Sequence, residues 1–452
     1  MRRLYTLTLI LMLPIFGCKK YLDVKPDQHL AVPTDNINNL QLILDDTYTM
    51  NQSMPSAGEV GSDNFFIDQE SWNTIKQSSA TESGLYIWDR NLFNETDYND
   101  WTLAYKTIFN ANLVLDALND IKQTAENSTN YNNIKGMALF YRAYSFLILL
   151  QEFAPAYNNA TAANDLGIAL RLSSALSEKS TRSNNQVCYA QIVTDFKSAT
   201  DLLLDKQTFA TRPCKAAAYG ALARTYLLMG DYNNSLKAAQ SYLNDSPLLL
   251  DYNTVSDSTA YALTRYNPEV SYHATLYYLG IYSPGYGRVD DALFSMYSDD
   301  DLRKTLFFSN NGPGNIYFKG SYDGSEVPFG GIATDEIYLI AAECYARSDD
   351  RENAMKTLNS LLVKRWRNNA FSPLSAVSQA DAVNQILNER RKELVFRNLR
   401  WGDLKRLNKE TIHQTTISRM LNGVNYLLLP LDKRYNLPLP EKVINLSGMQ
   451  QN

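Results

Sequence analysis

The feature that most constrains the fold of this 452-residue chain is a helix–turn–helix unit that occurs twice. Residues 215–239 have the pattern of a helix, a turn at Gly230-Asp231 and a second helix, and the pattern returns from Asp335 with its turn at residues 348–350. Two helices joined by a short turn cannot bury their apolar faces alone, so such units stack on one another. The repeat predicts a mainly α fold built on a tetratricopeptide-like scaffold of helical pairs.

The two copies agree at the positions where helices must come close together. Aligning Tyr226 with Tyr345 places Ala223 on Ala342, and small residues there let neighbouring helices approach each other. The copies lie far apart in sequence, which indicates a helical scaffold with insertions and not a regular array. Weaker instances of the helical pair occur near residues 100–151 and 187–229.

Two stretches interrupt the helical pattern and are expected to form loop-rich insertions. Residues 51–95 are rich in Gly, Ser, Asn and Asp, and residues 251–331 contain many Gly and Pro. Glycine and proline break long helices, and loops on a scaffold carry binding residues more often than packing residues. We expect one domain over residues 18–452, made of an N-terminal helical part (18–250), the insertion (251–331) and a C-terminal helical part (332–452).

The first residues have the pattern of a secretory signal peptide. Two arginines precede an apolar run from Leu4 to Phe16, which is shorter than the roughly 20 residues that a membrane-spanning helix needs. Gly17-Cys18 follows and resembles a bacterial lipobox. We expect residues 1–17 to be removed and Cys18 to carry the lipid that anchors the protein to a membrane. The alternative is an ordinary signal peptide that leaves Cys18 as a free thiol.

The other three cysteines are Cys188, Cys214 and Cys344. Their number is odd, no pair has Cys-x-x-Cys spacing, and no histidine lies nearby in sequence. We expect buried free thiols, with a Cys188–Cys214 disulfide as the alternative in an oxidising compartment.

The charge balance is mildly acidic. Lys and Arg number 43 and Asp and Glu number 48, which gives −5 for the whole chain. Without residues 1–17, which hold two arginines and no acid, the balance is 41 minus 48, or −7. Because phosphate binding requires a basic excess or stripe, nucleic acid is not expected as a partner.

No catalytic or metal-binding motif occurs in the sequence. His29, His273 and His413 are widely spaced, and there is no His-Glu-x-x-His, Gly-x-Ser-x-Gly or phosphate-binding loop. The acidic residues 299–301 lack the glycine and distal glutamate of an EF-hand, so a solvated acidic turn is expected. We predict a protein without catalytic activity, metal or cofactor. A glycoside hydrolase stays an alternative, because it needs only two carboxylates roughly 5 to 10 Å apart.

A charged helical pattern lies near the C-terminus. Residues 383–394 place apolar side chains and Arg390 at helical spacing, which predicts one inward stripe with an arginine set into it. Glu389 precedes Lys392 by three residues and Glu393 precedes Arg397 by four, spacings that favour ion pairs along a helix. A break follows around Trp401, and Asp403 is expected to open a second short helix.

Residues 389–396 (ERRKELVF) and 400–406 (RWGDLKR) together resemble the C-terminal signature of the SusD/RagB family, outer-membrane nutrient-binding lipoproteins of the Bacteroidetes. The chain differs from that signature at Arg397 and Asn398, where the family carries an acidic residue and a glycine. Further similarities lie at Cys18–Pro26, Asp301–Arg303, Phe318-Lys319 and Asn436–Asn445.

The resemblance implies both the helical scaffold and a function. It implies a lipoprotein anchored in the cell outer membrane and facing the exterior. Such a protein binds a nutrient, here expected to be a glycan or oligosaccharide, and passes it to a partner TonB-dependent, SusC-like transporter that it covers like a lid. Two other functions compete with this one: a helical-repeat scaffold that binds a protein or peptide, and a glycoside hydrolase with an unidentified carboxylate pair. The signature's charged residues are expected to brace the scaffold in ion pairs and not to contact ligand.

Candidate ligand-binding residues lie in the two loop-rich stretches. Flat aromatic faces stack on sugar rings, while nearby amide, carboxylate and guanidinium groups bond the hydroxyls. Residues 51–95 supply this mixture, and a tyrosine-rich loop of the 251–331 insertion offers a second wall. The expected ligand-binding residues are Asn64, Asp68, Trp72, Trp88, Arg90, Tyr282 and Tyr286. Trp366 and Trp401 are expected to lie in the core.

Overall fold

The structure, a computed structural model, describes Thr34, residues 36–93 and residues 99–452. The predicted signal peptide (1–17), the expected lipid attachment at Cys18 and His29 lie outside the described residues. Helices dominate, and the strands in the described part form five two-stranded antiparallel sheets. The predicted mainly α fold is confirmed.

The N-terminal part is built from three long helices with shorter elements before and between them. The elements are α1 (Ile37–Leu44), α2 (Thr47–Met50), α3 (Ala57–Gly61), β1 (Phe65–Ile67), α4 (Gln69–Ser78), α5 (Ala80–Tyr86), α6 (Asp100–Leu118), α7 (Ser128–Phe153), β2 (Leu166–Ala169), β3 (Arg182–Asn184) and α8 (Asn185–Leu202). Helices α6 and α8 both pack along α7, and most of the α7 side chains are buried. A helix that is buried on all sides is central to the core.

The stretch 51–95 is not the open loop region that its composition predicted. It contains the three short helices α3, α4 and α5. Its polar residues cap them: the Asp68 carboxylate accepts a hydrogen bond from the backbone N–H of Ser71 at 2.7 Å, and the Ser79 hydroxyl accepts one from Glu82 at 3.2 Å. Residues that favour turns also favour helix N-caps, which is why composition alone misjudged this stretch.

The rest of the chain alternates helical pairs with short irregular segments. The elements are α9 (Lys215–Met229), α10 (Tyr232–Asp245), β4 (Val270–Tyr272), β5 (Gly287–Val289), α11 (Asp291–Ser295), α12 (Arg303–Phe307), β6 (Phe308–Asn310), β7 (Ile316–Phe318), β8 (Ile332–Ala333), α13 (Thr334–Arg347), α14 (Arg351–Leu362), α15 (Gln379–Glu393), α16 (Arg400–Leu407), β9 (Ile417–Leu421), β10 (Val424–Leu428) and α17 (Glu441–Ser447). Single 3-10 turns lie at Tyr252–Thr254, Gly280–Tyr282, Thr411–His413 and Lys433–Tyr435. As predicted, the described residues 251–331 contain no helix longer than five residues.

The repeated helical pairs are α9–α10 and α13–α14. Asp231 and Asp350 cap the second helix of each pair, and each accepts a 3.1 Å hydrogen bond from the backbone N–H three residues later. The turn residues before them, Gly230 (φ 76°) and Asp349 (φ 59°), are both left-handed. Helices α10 and α13 also pack against each other, so the two pairs stack. The predicted repeat is confirmed.

The insertion is tied to the scaffold by sheet pairing and by the core. Strand β1 pairs with β5 with Phe65 opposite Val289, and β4 pairs with β8. One cluster of buried apolar side chains extends from Leu40 to Met449 and includes residues of the insertion. Among the described residues, no helix has the length and apolar content to cross a membrane.

All three cysteines in the described part are free and buried. The expectation of buried thiols is confirmed, and the alternative Cys188–Cys214 disulfide is wrong. Burial raises the pKa of the Cys188 thiol to about 11 and that of the Cys344 thiol to about 12.

Candidate functional site

Two neighbouring clefts in the 251–331 insertion form one groove, which we call the insertion groove. The first cleft has a volume of about 720 Å³ and the second about 340 Å³. Ala260, Ser309 and Lys319 line both clefts and join them. The walls come from residues 257–261, from the segment α11–β7, and from Pro284 and Glu326.

The groove presents aromatic rings beside polar groups. Tyr261, 43% exposed, and the half-buried Tyr317 line the second cleft. The guanidinium of Arg288 lies over the Tyr317 ring, 4.3 Å from its centre, which supports one face of the ring. The side chains of Ser309 and Asn311 and both tyrosine hydroxyls make no hydrogen bond to any described residue. Flat rings next to unused donors and acceptors suit a polyhydroxylated ligand.

Two lysines line the groove, and their environments differ. The Lys304 ammonium lies 2.7 Å from a carboxylate oxygen of Asp299. The Lys319 ammonium instead donates to two backbone carbonyls, those of Thr305 at 3.1 Å and Asp257 at 3.4 Å. No carboxylate of the described residues lies within ion-pair distance of Lys319. Burial lowers the pKa of Lys319, against an opposing effect of the Asp257 charge.

A buried ion cluster holds the first wall of the groove. Arg303, fully buried at the start of α12, donates two hydrogen bonds to Asp301, at 2.8 and 2.7 Å. It donates two more to Glu393 at 2.9 Å and Glu389 at 2.6 Å, both on α15. Burial opposes ionisation of Asp301, but Arg303 and Lys392 outweigh it and hold the pKa of that carboxyl below its ordinary value. Because the next two residues of α12 line the groove, the signature helix α15 anchors its wall.

A second buried arginine extends this cluster. Arg365 donates to Glu393 at 2.6 Å, to Glu269 at 2.8 Å and to the carbonyl of Leu250 at 2.8 Å. Its guanidinium lies 4.0 Å from the centre of the Tyr252 ring. Burial raises the pKa of Glu269 to about 7, against the opposing charge of Arg365. Buried ion pairs thus join Glu269 and Arg303 of the 251–331 insertion to Arg365 and Glu393 of the C-terminal helical part.

The signature's ion pairs are only partly those expected. The Glu389–Lys392 pair is confirmed at 2.8 Å. The expected Glu393–Arg397 pair is wrong: α15 ends at Glu393, and Arg397 lies 2.7 Å from Asp335 of α13. The charged residues nonetheless brace the scaffold, as predicted, and do not form a solvated face.

The tryptophan of the signature is a core residue, as expected. Its helix, α16, begins at Arg400 and not at Asp403. Trp401 is 2% exposed and packs on α3 so closely that a Cβ at Gly61 would lie 2.8 Å from its ring. The chain reaches this position through Asn398, which has a φ of 55°.

Four of the predicted ligand-binding side chains lie in the core. Trp72 and Trp88 are each 2% exposed, Asn64 is 1% exposed and Tyr282 is 5% exposed. The Trp88 indole donates to the Gly61 carbonyl at 2.9 Å. The Asn64 amide and the Tyr282 hydroxyl are likewise bonded within the core. A ring or amide packed in this way cannot meet a ligand, so the expectation for these four is corrected.

The other three predicted residues have accessible side chains. Asp68 caps α4, and Arg90 donates to the backbone carbonyls of Asn436 and Asn452. Tyr286 is half-buried, in the loop that reaches the groove through Pro284. Ligand contact by Asp68, Arg90 or Tyr286 stays a prediction.

Sequence reasoning missed the aromatic residues that do line the groove, chiefly Tyr261 and Tyr317. A signal for Tyr317 is present: it lies between Ile316 and Phe318, which are both buried in β7. Because alternate residues of a strand point to opposite sides, that pattern places Tyr317 outward. Tyr261 carries no comparable local signal.

The acidic residues 299–301 are split between two environments. Asp299 and Asp300 are exposed and pair with Lys304 and Arg367, as a solvated turn predicts. Asp301 is buried in the ion cluster, which corrects that expectation for this residue. In the part of the chain that the structure describes, no group of three or more His, Cys, Asp or Glu side chains could hold a metal ion.

A separate cleft of about 590 Å³ lies between α6, the 169–180 loop and α17. Leu176 and Leu446, both strongly exposed, are among its lining residues. Two of the polar side chains that line it already donate hydrogen bonds within the protein. The Tyr105 hydroxyl donates to the Ala169 carbonyl at 2.6 Å, and the Asn112 amide donates to the Arg171 carbonyl at 2.8 Å. The insertion groove is therefore the better candidate site for a polar ligand.

Two family sequence models match the chain. One, described as "Starch-binding associating with outer membrane", matches residues 20–227, and the other, "SusD family", matches residues 332–452. Together the matches cover more than half of the chain. The chain belongs to the SusD/RagB family. The insertion groove lies entirely between the two matched regions of this SusD/RagB chain.

Relatives and solved structures agree with this assignment. A SusD-like protein P2 from Formosa agariphila is 24% identical over 422 residues, which cover 78% of this chain and 79% of the relative. A SusD superfamily protein from Bacteroides vulgatus has a TM-score of 0.75 at 20% identity and covers 92% of this chain and 98% of its own. Surface glycan-binding protein A from Bacteroides uniformis has a TM-score of 0.69 at 17% identity, with coverage of 92% and 99%. The two structural likenesses show a shared fold.

Proposed function

We propose that this SusD/RagB protein is a lipoprotein on the outer face of the outer membrane that binds a nutrient glycan in the insertion groove. We propose further that it passes the glycan to a partner TonB-dependent, SusC-like transporter. The observation that carries the binding proposal is the set of accessible rings, Tyr261 and Tyr317, beside unused hydroxyl and amide groups in one groove. The description of the matched family and the name of the Bacteroides uniformis protein support it.

The groove's chemistry favours a sugar over a peptide. Each tyrosine offers an apolar face for the C–H groups of a sugar ring, and Ser309, Asn310 and Asn311 supply side-chain groups for its hydroxyls. The groove also spans two joined clefts, so it has room for more than one sugar unit.

The binding proposal is tested with a panel of polysaccharides. Affinity electrophoresis identifies the glycans that bind a chain starting at residue 19, and calorimetry then measures the affinity. Tyr317→Ala is expected to weaken binding about tenfold, which corresponds to about 1.4 kcal/mol, because it removes a preorganised stacking face. The matched control is Tyr48→Ala, since Tyr48 is 62% exposed on α2 and lies outside the groove.

Two results would contradict the proposal that a glycan binds in the insertion groove. Equal affinity of wild type and Tyr317→Ala for every bound glycan would place the site elsewhere. Binding of peptides but of no glycan would favour the helical-repeat scaffold that binds a protein or peptide.

We propose that the protein binds glycan without turning it over. The described carboxylates of the buried ion cluster are engaged by Arg303 and Arg365 and do not line the groove. Incubating the bound glycan with purified protein and measuring reducing ends tests the proposal. Release of reducing ends above the level of a heat-denatured control would establish the glycoside hydrolase alternative.

The anchor and the partner are tested in cells. Cys18→Ala is expected to move the protein from the membrane fraction to the soluble fraction, because it removes the lipid attachment point. Purification of the wild-type protein from detergent-solubilised membranes is expected to bring down a large TonB-dependent barrel. Unchanged membrane retention of the variant, or recovery of the protein without a barrel, would contradict these two proposals.

A further inference from the structure

Lys319 in the insertion groove and Arg288 beside the groove form no ion pair with any carboxylate of the described residues, although the charges of Asp257 and Asp68 act on them from further away. Lys319 lies where the two clefts join, with carbonyl partners only. Arg288 lies over the ring of Tyr317, and its hydrogen bonds are to the backbone carbonyls of Pro284 and Gly287. Elsewhere in the ion cluster, buried arginines such as Arg303 each face several carboxylates.

The acids that line the groove are mostly engaged with other groups. Asp299 forms the ion pair with Lys304 at 2.7 Å. A carboxylate oxygen of Glu326 accepts a hydrogen bond from the Tyr278 hydroxyl at 3.0 Å. Asp257 offers Lys319 its backbone carbonyl and not its carboxylate. The ammonium of Lys319 therefore lies at the junction of the clefts without an ion pair, and the charge of Asp257 acts on it only from beyond ion-pair distance.

From this arrangement we infer that the insertion groove selects an anionic glycan, and that Lys319 contacts the carboxylate or sulfate group of that glycan. This inference rests on the proposed glycan-binding function of the groove. An ammonium has three N–H donors, and two of those of Lys319 are held by carbonyls, which leaves one for the ligand. A charge-assisted hydrogen bond in a partly buried site is stronger than a neutral one, so the anion adds affinity that an uncharged sugar cannot.

The protein's negative net charge makes the positions of Lys319 and Arg288 relevant to the binding of an anionic ligand. A chain with a net charge of −5 repels polyanions on average, so an anionic ligand must find local positive charge. Lys319 supplies it in the groove, and Arg288 supplies it at Tyr317, the ring on which the sugar is expected to stack. The ring fixes the sugar plane and the ammonium fixes the position of the anionic group along the groove.

The test uses glycans that share a backbone and differ only in charge. Dextran is compared with dextran sulfate, and methyl-esterified with unesterified polygalacturonate, by calorimetry at 50 mM and 300 mM NaCl. The anionic member of at least one pair is expected to bind about tenfold tighter at low salt, with a smaller advantage at high salt because ions screen the contact. The two pairs distinguish a sulfate from a carboxylate as the group that is bound.

Variants assign the effect to Lys319. Lys319→Met is expected to abolish the preference for the anionic member, and Lys319→Arg to retain it. Lys237→Met, at an exposed lysine on α10 outside the groove, controls for a general change of charge. Circular dichroism confirms that each variant is folded.

The outcomes separate this inference from the function on which it rests. Equal binding of charged and uncharged members, binding of neutral glycans only, or an undiminished preference in Lys319→Met would overturn the inference and leave glycan binding in the groove intact. Binding of no glycan in these pairs or in the wider panel would overturn both.

Discussion

Replacing the buried Arg365 with methionine is expected to destabilise the protein strongly, whereas the same change two residues later is not. Arg365 has a fully buried side chain and pairs with Glu393 at 2.6 Å and Glu269 at 2.8 Å. Arg367 pairs with Asp300 at 3.2 Å, but its side chain is 61% exposed. The two positions therefore provide a matched comparison of a buried and an exposed ion pair on one short segment.

The magnitude follows from what each change leaves behind. Arg365→Met leaves Glu269 buried without its cation and removes one of the two arginines that pair with Glu393, and removing one partner of a buried pair costs about 3–5 kcal/mol. It also removes the hydrogen bond to the Leu250 carbonyl at 2.8 Å and the contact with the Tyr252 ring. Arg367→Met leaves Asp300 in water, and exposed pairs contribute about 0–1 kcal/mol. The expected difference between the two variants is thus at least about 2 kcal/mol.

Urea unfolding followed by circular dichroism measures this difference in the free energy of unfolding, with the slope checked for a change in the transition. Losses of less than about 1 kcal/mol for both variants would refute the argument that the ion cluster holds the insertion on the scaffold. A loss for Arg365→Met that vanishes when Glu393 is also changed to leucine would instead show that the cluster can be replaced by apolar packing.

Three further changes test other parts of the structure. Burial raises the pKa of Glu59 to about 7 from 4.5, so its contribution to the free energy of unfolding is full below pH 4.5 and is lost, by about 3 kcal/mol, as the pH rises to 7. Urea titrations of wild type and Glu59→Gln across this range should diverge accordingly, and parallel curves would contradict the shift. Gly61→Ala should lower the melting temperature, since its Cβ meets the Trp401 ring at 2.8 Å and overpacking costs about 1–3 kcal/mol, while Gly285→Ala, with its nearest atom at 3.6 Å, should not. The three buried thiols should resist a thiol reagent at pH 8 in the native protein and react fully in denaturant, without prior reduction, and a need for reductant would indicate a disulfide.

Local sequence patterns predicted much of the scaffold. The aligned copies at Asp231 and Asp350 form equivalent N-caps because capping depends only on residues within one turn. The glycine and proline content of 251–331 correctly predicted a segment without long helices, since those residues act on the backbone directly. Composition failed for residues 51–95, where the same polar residues that favour loops instead cap short helices.

The candidate site was much harder to predict. Trp72 and Trp88 looked suited to stacking on a sugar because they stand among polar residues in sequence, yet both are buried. Tyr317 stands directly between two apolar residues, Ile316 and Phe318, but strand alternation turns it outward. Exposure depends on which distant segments cover a side chain, and no local pattern contains that information.

The sequence by itself determined the helical pairs, the insertion without long helices and the family, because each rests on residues close together in the chain. Only the tertiary structure decided what the signature's charges do. Glu389 and Glu393 were expected to pair along one helix, which holds only for Glu389 and Lys392. Both glutamates also bind Arg303, which lies 86 and 90 residues earlier and positions the groove's wall. A buried charge must find its counter-charge wherever the fold places one, and that choice is made in space and not along the chain.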